Sequence, residues 1–244
     1  MKKILVSDYD NTFYINEYDI KNNIQNVEKF RNKGNIFVIA TGRSYYDFNK
    51  KLKEYPIKYD YLIINHGATI LNLDGNVIGK YIVEENTKNA LIQDLELYNQ
   101  SNMFACSILE SRVSIESNNI TKIYKQFETI EEAKKMNNII NNKYSSHIIS
   151  YLIPSNNAIE IISSKTNKAN AIDKIAKIEN VNKKNIFTIG DSYNDIEMIK
   201  KFNGFCVSNA EKEVKNISFK EYTSVSELIN EILGEKNEGI WKRK

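Results

Sequence analysis

The sequence predicts an α/β protein: a doubly wound parallel sheet with helices on both faces, and a smaller α+β unit inserted into it. Three observations carry this. Short runs such as Ile36-Phe37-Val38-Ile39-Ala40, Tyr61-Leu62-Ile63-Ile64 and Ile186-Phe187-Thr188-Ile189 are close to continuously apolar rather than alternating, as strands buried on both faces are. Helical patterns separate these runs, the rhythm of parallel strands joined by crossovers. Between about 84 and 156 that rhythm gives way to helix, short strands, helix and strand.

In order, residues 3–8 read as the first strand, Asn16 to Ile20 as a polar loop and about 20–33 as a helix closed by Gly34. The second strand, 36–40, runs into Thr41-Gly42-Arg43, and a helix follows from about Ser44. The third, 61–64, ends at Asn65-His66-Gly67. Two short strands then flank Asp74-Gly75, a hairpin signal. In the inserted unit, Ser114-Ile115-Glu116 and Lys122-Ile123-Tyr124 alternate as half-buried strands do, and 131–144 reads as an amphipathic helix. The α/β rhythm resumes with the strand Ile159-Glu160-Ile161-Ile162 and a helix from Lys168 to about Glu179. A strand over 185–189 leads into Gly190-Asp191-Ser192-Tyr193-Asn194-Asp195. Phe205-Cys206-Val207 is the last strand, and a helix over about 224–233 closes the pattern.

Composition narrows the function classes. With 41% hydrophobic and 27% charged residues the chain is globular rather than disordered. Its 34 basic and 31 acidic residues leave a net charge of +3, which gives no reason to expect a nucleic-acid or membrane partner. The tail Trp241-Lys242-Arg243-Lys244 reads as a solvated terminus. Two cysteines without a CxxC argue against a disulfide scaffold or a structural zinc site. No apolar run reaches membrane-spanning length, and a cytoplasmic protein is expected.

Chemistry concentrates where strands end. Asp8 and Asp10 sit two residues apart after Ile4-Leu5-Val6; in an extended chain such residues face the same way. Taken alone, this is also the composition of a polar strand-to-loop turn. However, Thr41 ends the second strand, and Asp191 and Asp195 follow the strand over 185–189. In a parallel sheet these ends share one edge, where ligands bind. Carboxylates gathered there repel one another, and Mg²⁺, which takes a few carboxylate oxygens and keeps its waters, would relieve this. With a Thr hydroxyl and Lys168 added, the set suits a phosphate. Asp8 can then be the nucleophile, and Asp10 the acid that protonates the leaving oxygen and later deprotonates water.

At this point the residues resemble the haloacid dehalogenase superfamily of phosphohydrolases, in its Cof-like branch, which carries an inserted α/β cap. Asp8-Tyr9-Asp10-Asn11-Thr12 resembles its DxDxT motif and Ala40-Thr41-Gly42-Arg43 its ATGR motif. Lys168-Ala169-Asn170-Ala171-Ile172 is similar to its KGxAL segment, Gly190 to Asp195 to GDxxND, and Val207-Ser208-Asn209-Ala210 to VxNA. The resemblance implies that Asp8 is nucleophile and Mg²⁺ ligand. Asp10 would be the general acid/base and lend its backbone carbonyl to the metal, with Asp191 and Asp195 completing the metal set. It implies phosphate contacts from Thr41, Gly42, Lys168 and Asn194, and a supporting role for Thr12.

Three positions depart from the pattern. Asn11 and Ala169 stand where glycine is usual, and His66 where Asn is usual. Asn tolerates the left-handed backbone, and Ala suits a helix. His66 reads either as a hydrogen-bonded loop residue or as a substrate contact, and Arg43 is a second candidate contact. Thr41 also reads as a helix cap, and Tyr124, Tyr144 and Tyr151 as core or surface aromatics.

The expectation is a Mg²⁺-dependent phosphatase for a small phosphorylated metabolite: a sugar phosphate, phosphorylated cofactor or nucleotide. The core would span residues 1–82 and 158–244, and the cap 83–157. A sugar phosphomutase and a non-catalytic phospholigand binder on the same scaffold are the alternatives.

Overall fold

The computed structural model describes residues 1–96 and 102–234; the tail Trp241-Lys242-Arg243-Lys244 lies outside them. Along the chain, β1 (Ile4–Ser7) leads to α1 (Glu17–Asn32), which starts earlier than its periodicity indicates. The cause is Asn16, whose side chain accepts the N–H groups of Tyr18 and Asp19 and caps the helix. Then come β2 (Ile36–Ala40), α2 (Tyr45–Glu54), β3 (Tyr61–Ile64), β4 (Thr69–Asn72), β5 (Val77–Lys80) and α3 (Glu85–Glu96). Next are β6 (Met103–Cys106), β7 (Lys122–Gln126), α4 (Ile130–Lys143), β8 (Ile148–Ile153) and β9 (Ala158–Ser163). A capping box between Thr129 and Glu132 opens α4. The chain continues with α5 (Lys168–Ile178), β10 (Ile186–Gly190), α6 (Ile196–Lys201) and β11 (Asn203–Val207). It closes with α7 (Lys212–Ile217), β12 (Glu221–Tyr222) and α8 (Val225–Leu233).

The chain divides into two units. The first comprises Met1–Thr41, Lys51–Leu62 and the chain from Ile172 onward; the second comprises Gly42–Lys50 and Ile63–Ala171. In the first unit the strand order is β12-β11-β10-β1-β2-β3, and β1 runs parallel to both β10 and β2. The chain grows in one direction through β2 and β3 and in the other through β10, β11 and β12. The order therefore reverses beside β1, the point where open α/β sheets build their sites. Every residue of β1 and β2 is buried, which is why both read as continuous apolar runs. Helices α1 and α8 meet over a buried polar hub. Asn23 donates to the Phe13 carbonyl at 2.8 Å and accepts from the Ser226 N–H and hydroxyl at 2.8 and 2.7 Å.

The second unit contains the β4–β5 hairpin, turning at Asp74-Gly75, and an antiparallel sheet in the order β6-β7-β9-β8. Its core joins Leu91 and Leu95 of α3, Ala133, Met136 and Ile140 of α4, and Ile123, Ile159 and Ile161 of the sheet. Two expectations change here. Ile159 to Ile162 do not resume the α/β rhythm; they lie in β9, antiparallel to β7 and β8. A boundary at 157/158 thus falls between two neighbouring strands of one sheet. Ser114-Ile115-Glu116 is not a strand. The Ser114 carbonyl accepts the Ser117 N–H and its hydroxyl accepts the Glu116 N–H, local bonds that compete with a ladder. Val113, just before this stretch, forms an isolated antiparallel bridge to Ala105. Among the described residues, no helix is long and apolar enough to cross a membrane.

Candidate active site

The acids come together where β1 and β10 end. Ser7 is level with Ile189 across the parallel pair, and the ladder continues one step further, from the Asp8 N–H to the Ile189 carbonyl at 3.0 Å. Asp8 and Asp191 therefore leave adjacent strands side by side. Asp8, Asp191 and Asp195 are all buried, and each offers a carboxylate oxygen within 4.8 Å of the others.

Each acid is held. The Asp195 carboxylate accepts the N–H groups of Asp191 and Ser192 at 3.1 and 3.2 Å. Gly190 makes this possible, because a Cβ there would stand 2.4 Å from Asp195 Cγ. The Thr12 hydroxyl donates to Asp191 at 2.8 Å, so its supporting role is to aim a site acid. Asn11 takes the left-handed backbone, φ 58°, and its carbonyl accepts from Asn209 at 2.9 Å. This gives the VxNA-like stretch a physical task in the loop after β1. Asp10, half-buried, lies in that loop and bridges to Tyr14 through the backbone. Asn194 is half-buried, and its side-chain oxygen accepts from Ser192 at 3.2 Å.

Three buried carboxylates this close cost several kcal/mol unless a cation offsets their charge. The donor set is all hard oxygen, which fits Mg²⁺ rather than a soft metal. Thr41, the residue after β2, is buried. It is not the cap of the next helix: Ser44 takes that place, accepting the Asp47 N–H at 3.2 Å.

Gly42, Arg43, His66 and Lys168 belong to the second unit. Lys168, the first residue of α5, is fully buried, which separates it from the surface lysines. Asn167 precedes it and caps the helix through the Asn170 N–H at 2.8 Å. The Arg43 carbonyl accepts the Asn65 N–H at 2.9 Å. His66 is 1% exposed, and its Nε2 lies 2.5 Å from Glu160 Oε2. Lys122, also buried, donates from Nζ to the other Glu160 oxygen at 2.5 Å and to the Gly42 carbonyl at 2.6 Å.

Burial would push the Glu160 carboxyl up, but the Lys122 ammonium and His66 hold it down to about 2. Burial lowers the His66 pKa and outweighs the pull of Glu160, with Lys122 and Lys168 adding to the decrease. His66 is therefore neutral. Its single proton sits on Nε2, the nitrogen with an acceptor, and Nδ1 has no hydrogen-bond partner. Burial also works against the Lys122 ammonium, yet the Glu160 charge more than compensates and its pKa is raised. Sequence reasoning missed Glu160 and Lys122 as a pair. The available signal was a lone charge in an otherwise apolar run, Ile159-Glu160-Ile161-Ile162.

Comparison with known proteins adds the family. The model for haloacid dehalogenase-like hydrolases matches residues 5–109 and 97–227. A provisionally named phosphatase of Buchnera aphidicola subsp. Baizongia pistaciae is 28% identical, over 97% of this chain and 100% of that protein. A structure from Plasmodium vivax, provisionally classed as a HAD/COF-like hydrolase, superposes with a TM-score of 0.82 at 19% identity, covering 96% of each chain. The sucrose-phosphatase of Synechocystis sp. PCC6803, in complex with sucrose and phosphate, gives 0.70 at 18%, over 96% of this chain and 98% of that one. At such identity these two structures speak for the fold. The chain belongs to the haloacid dehalogenase-like hydrolases.

Proposed function

We propose that the protein is a Mg²⁺-dependent phosphatase that releases phosphate from a small phosphomonoester through an aspartyl-phosphate on Asp8. The observation that carries this reading is the convergence of buried Asp8, Asp191 and Asp195 at the ends of β1 and β10, with Asp10 two residues along the same loop. The Asp8 carboxylate attacks phosphorus in line, and the bond to the leaving oxygen breaks as Asp10 gives that oxygen its proton. Water then attacks the aspartyl-phosphate, Asp10 takes its proton, and the P–O bond to Asp8 breaks to free phosphate and the carboxylate.

The metal ligands in this reading are Asp8, Asp191, Asp195 and the Asp10 carbonyl. Bound Mg²⁺ would neutralise part of the charge on the phosphoryl oxygens. By correspondence with the family motifs, the Thr41 hydroxyl, the Gly42 backbone N–H, Lys168 and Asn194 hold the phosphate. The inserted α+β unit built on the β6-β7-β9-β8 sheet acts as the cap that selects among sugar phosphates, phosphorylated cofactors and nucleotides, with Arg43 and His66 as further candidate contacts. A cytoplasmic setting belongs to the same proposal; Cys106 and Cys206 are both buried free thiols, in keeping with a reducing compartment.

The test is phosphate release from an aryl phosphate with and without Mg²⁺, for wild type and Asp8→Asn. Turnover should depend on Mg²⁺ and fall by ~10³-fold or more in the variant, with an unchanged circular-dichroism spectrum. Robust turnover by pure Asp8→Asn would refute the mechanism. An isomerised sugar phosphate with little free phosphate would instead indicate a mutase.

A further inference from the structure

Gly42 is held more tightly than a loop residue needs to be. Its carbonyl accepts from the buried Lys122 ammonium at 2.6 Å. The next carbonyl, that of Arg43, accepts the Asn65 N–H at 2.9 Å. The His66 ring leaves no room for a side chain at Gly42: a Cβ there would stand 2.4 Å from Cε1 and 2.7 Å from Nε2. The Tyr151 ring packs against the His66 ring at a tilt of 32°, with the centroids 4.8 Å apart. The Asn65 side chain donates to the Thr121 hydroxyl at 3.1 Å, and that hydroxyl donates to the Ser107 carbonyl at 2.8 Å. Thus β7, β9 and the turn after β3 all converge on Gly42.

This arrangement is costly. Lys122 and Glu160 are charged groups with side chains only 5% and 14% exposed, and an apolar pair of similar volume is often as stable as a buried ion pair or more so. Stability alone is therefore a weak reason for it. What the ion pair does geometrically is specific. A peptide unit is planar and trans, so its C=O and N–H point in opposite directions. Fixing the Gly42 carbonyl on Lys122 fixes the Arg43 N–H on the opposite side of the same plane. Glu160 keeps the ammonium from swinging away, and His66 locks the second Glu160 oxygen.

We infer that Lys122 is a positioning residue for the Thr41-Gly42-Arg43 turn, fixing the Gly42–Arg43 peptide so that the backbone N–H groups of the turn are presented to the substrate phosphate. This inference rests on the phosphate-binding reading of Thr41 and Gly42.

The experiment compares Lys122→Met with wild type, measuring kcat and KM for an aryl phosphate and the inhibition constant of inorganic phosphate. A binding element used alike in ground and transition states moves KM, not kcat. KM and the phosphate inhibition constant should each rise about tenfold with kcat within about threefold, and Lys122→Arg should recover most of the loss. A second readout is pH. The groups facing His66 are Glu160 of β9, Lys122 of β7, Lys168 of α5 and the Tyr151 ring of β8. Without Lys122 one of the charges that lower the His66 pKa is gone, Glu160 draws a proton onto the ring more readily, and the ratio of variant to wild-type phosphate affinity changes with pH.

A lowered melting temperature with wild-type KM, inhibition constant and pH profile would overturn the inference. Should Lys122→Met not fold, Lys122→Met/Glu160→Gln removes the orphaned charge at nearly constant volume. The same rise in KM and inhibition constant is then expected, and wild-type values would count against the inference. Asp8→Asn separates the two readings: an active Asp8→Asn refutes the phosphatase mechanism, whereas an inactive Asp8→Asn beside an unaffected Lys122→Met refutes the positioning role alone.

Discussion

Glu160→Gln isolates the charge at the centre of the buried cluster. The substitution keeps shape and one acceptor for the His66 Nε2–H, and removes the counter-charge of Lys122. In the folded protein the Glu160 carboxyl titrates at about 2 instead of its ordinary 4.5. At ~1.4 kcal/mol for each tenfold change in the ionisation constant, the ionised carboxylate contributes ~3 kcal/mol to stability. Because its pKa is lowered by folding, that contribution is fully present above pH 4.5 and is lost as pH falls through 2. For a chain of this size, ~3 kcal/mol corresponds to a melting-temperature difference of roughly 6–12 °C. Thermal melts followed by circular dichroism from pH 7 down to pH 2.5 should show that gap at neutral pH. It should close as pH drops below about 4, since wild type loses what the variant never had. A gap that stays constant across the whole range would refute the assignment of the stabilisation to ionised Glu160.

Two other substitutions probe different links. Gly190→Ala drives a methyl group to within 2.4 Å of Asp195 Cγ. Moving that acid should cut phosphatase turnover by ~100-fold or more and raise the Mg²⁺ concentration needed for half-activity; an unaltered metal titration would contradict the site geometry. Asn23→Ala strips the acceptor from two Ser226 donors and the donor from the Phe13 carbonyl. Leaving such buried groups unsatisfied should cost ~2–4 kcal/mol, lowering the melting temperature by roughly 5–15 °C with activity per folded molecule retained. A melting temperature within about 2 °C of wild type would remove the hub from the account of stability.

How far the site could be read in advance depended on sequence distance. Asp8, Thr41 and Asp191 follow directly on apolar runs, so the strand and the side chain it delivers are one local signal. The parallel pairing of β1 with β2 and β10 then makes adjacency at the sheet edge almost a consequence of topology. Asn16, Thr129 and Ser224 cap their helices, yet apolar periodicity alone placed the start of α1 near residue 20 and left Asn16 in a polar loop. The two-residue β12 was too short to carry any periodic signal. The strand nature of 158–163 was legible, but its partners were not: an apolar run states that both faces are covered, not by which neighbours. The same limit hid the His66–Glu160–Lys122 set, whose members lie 94 and 38 residues apart along the chain.

By itself, then, the sequence determined the α/β alternation, the inserted α+β unit and the acids at the strand ends, because each is written in the spacing of neighbouring residues. Only the tertiary structure decided that β9 belongs with β7 and β8, that Thr12 aims Asp191, that Asn209 holds the Asn11 carbonyl, and that a buried lysine, itself held by Glu160, grips the Gly42 carbonyl. Hydrogen bonds and ion pairs depend on distances of about 3 Å in space, and spacing along the chain carries no record of which distant residues will meet.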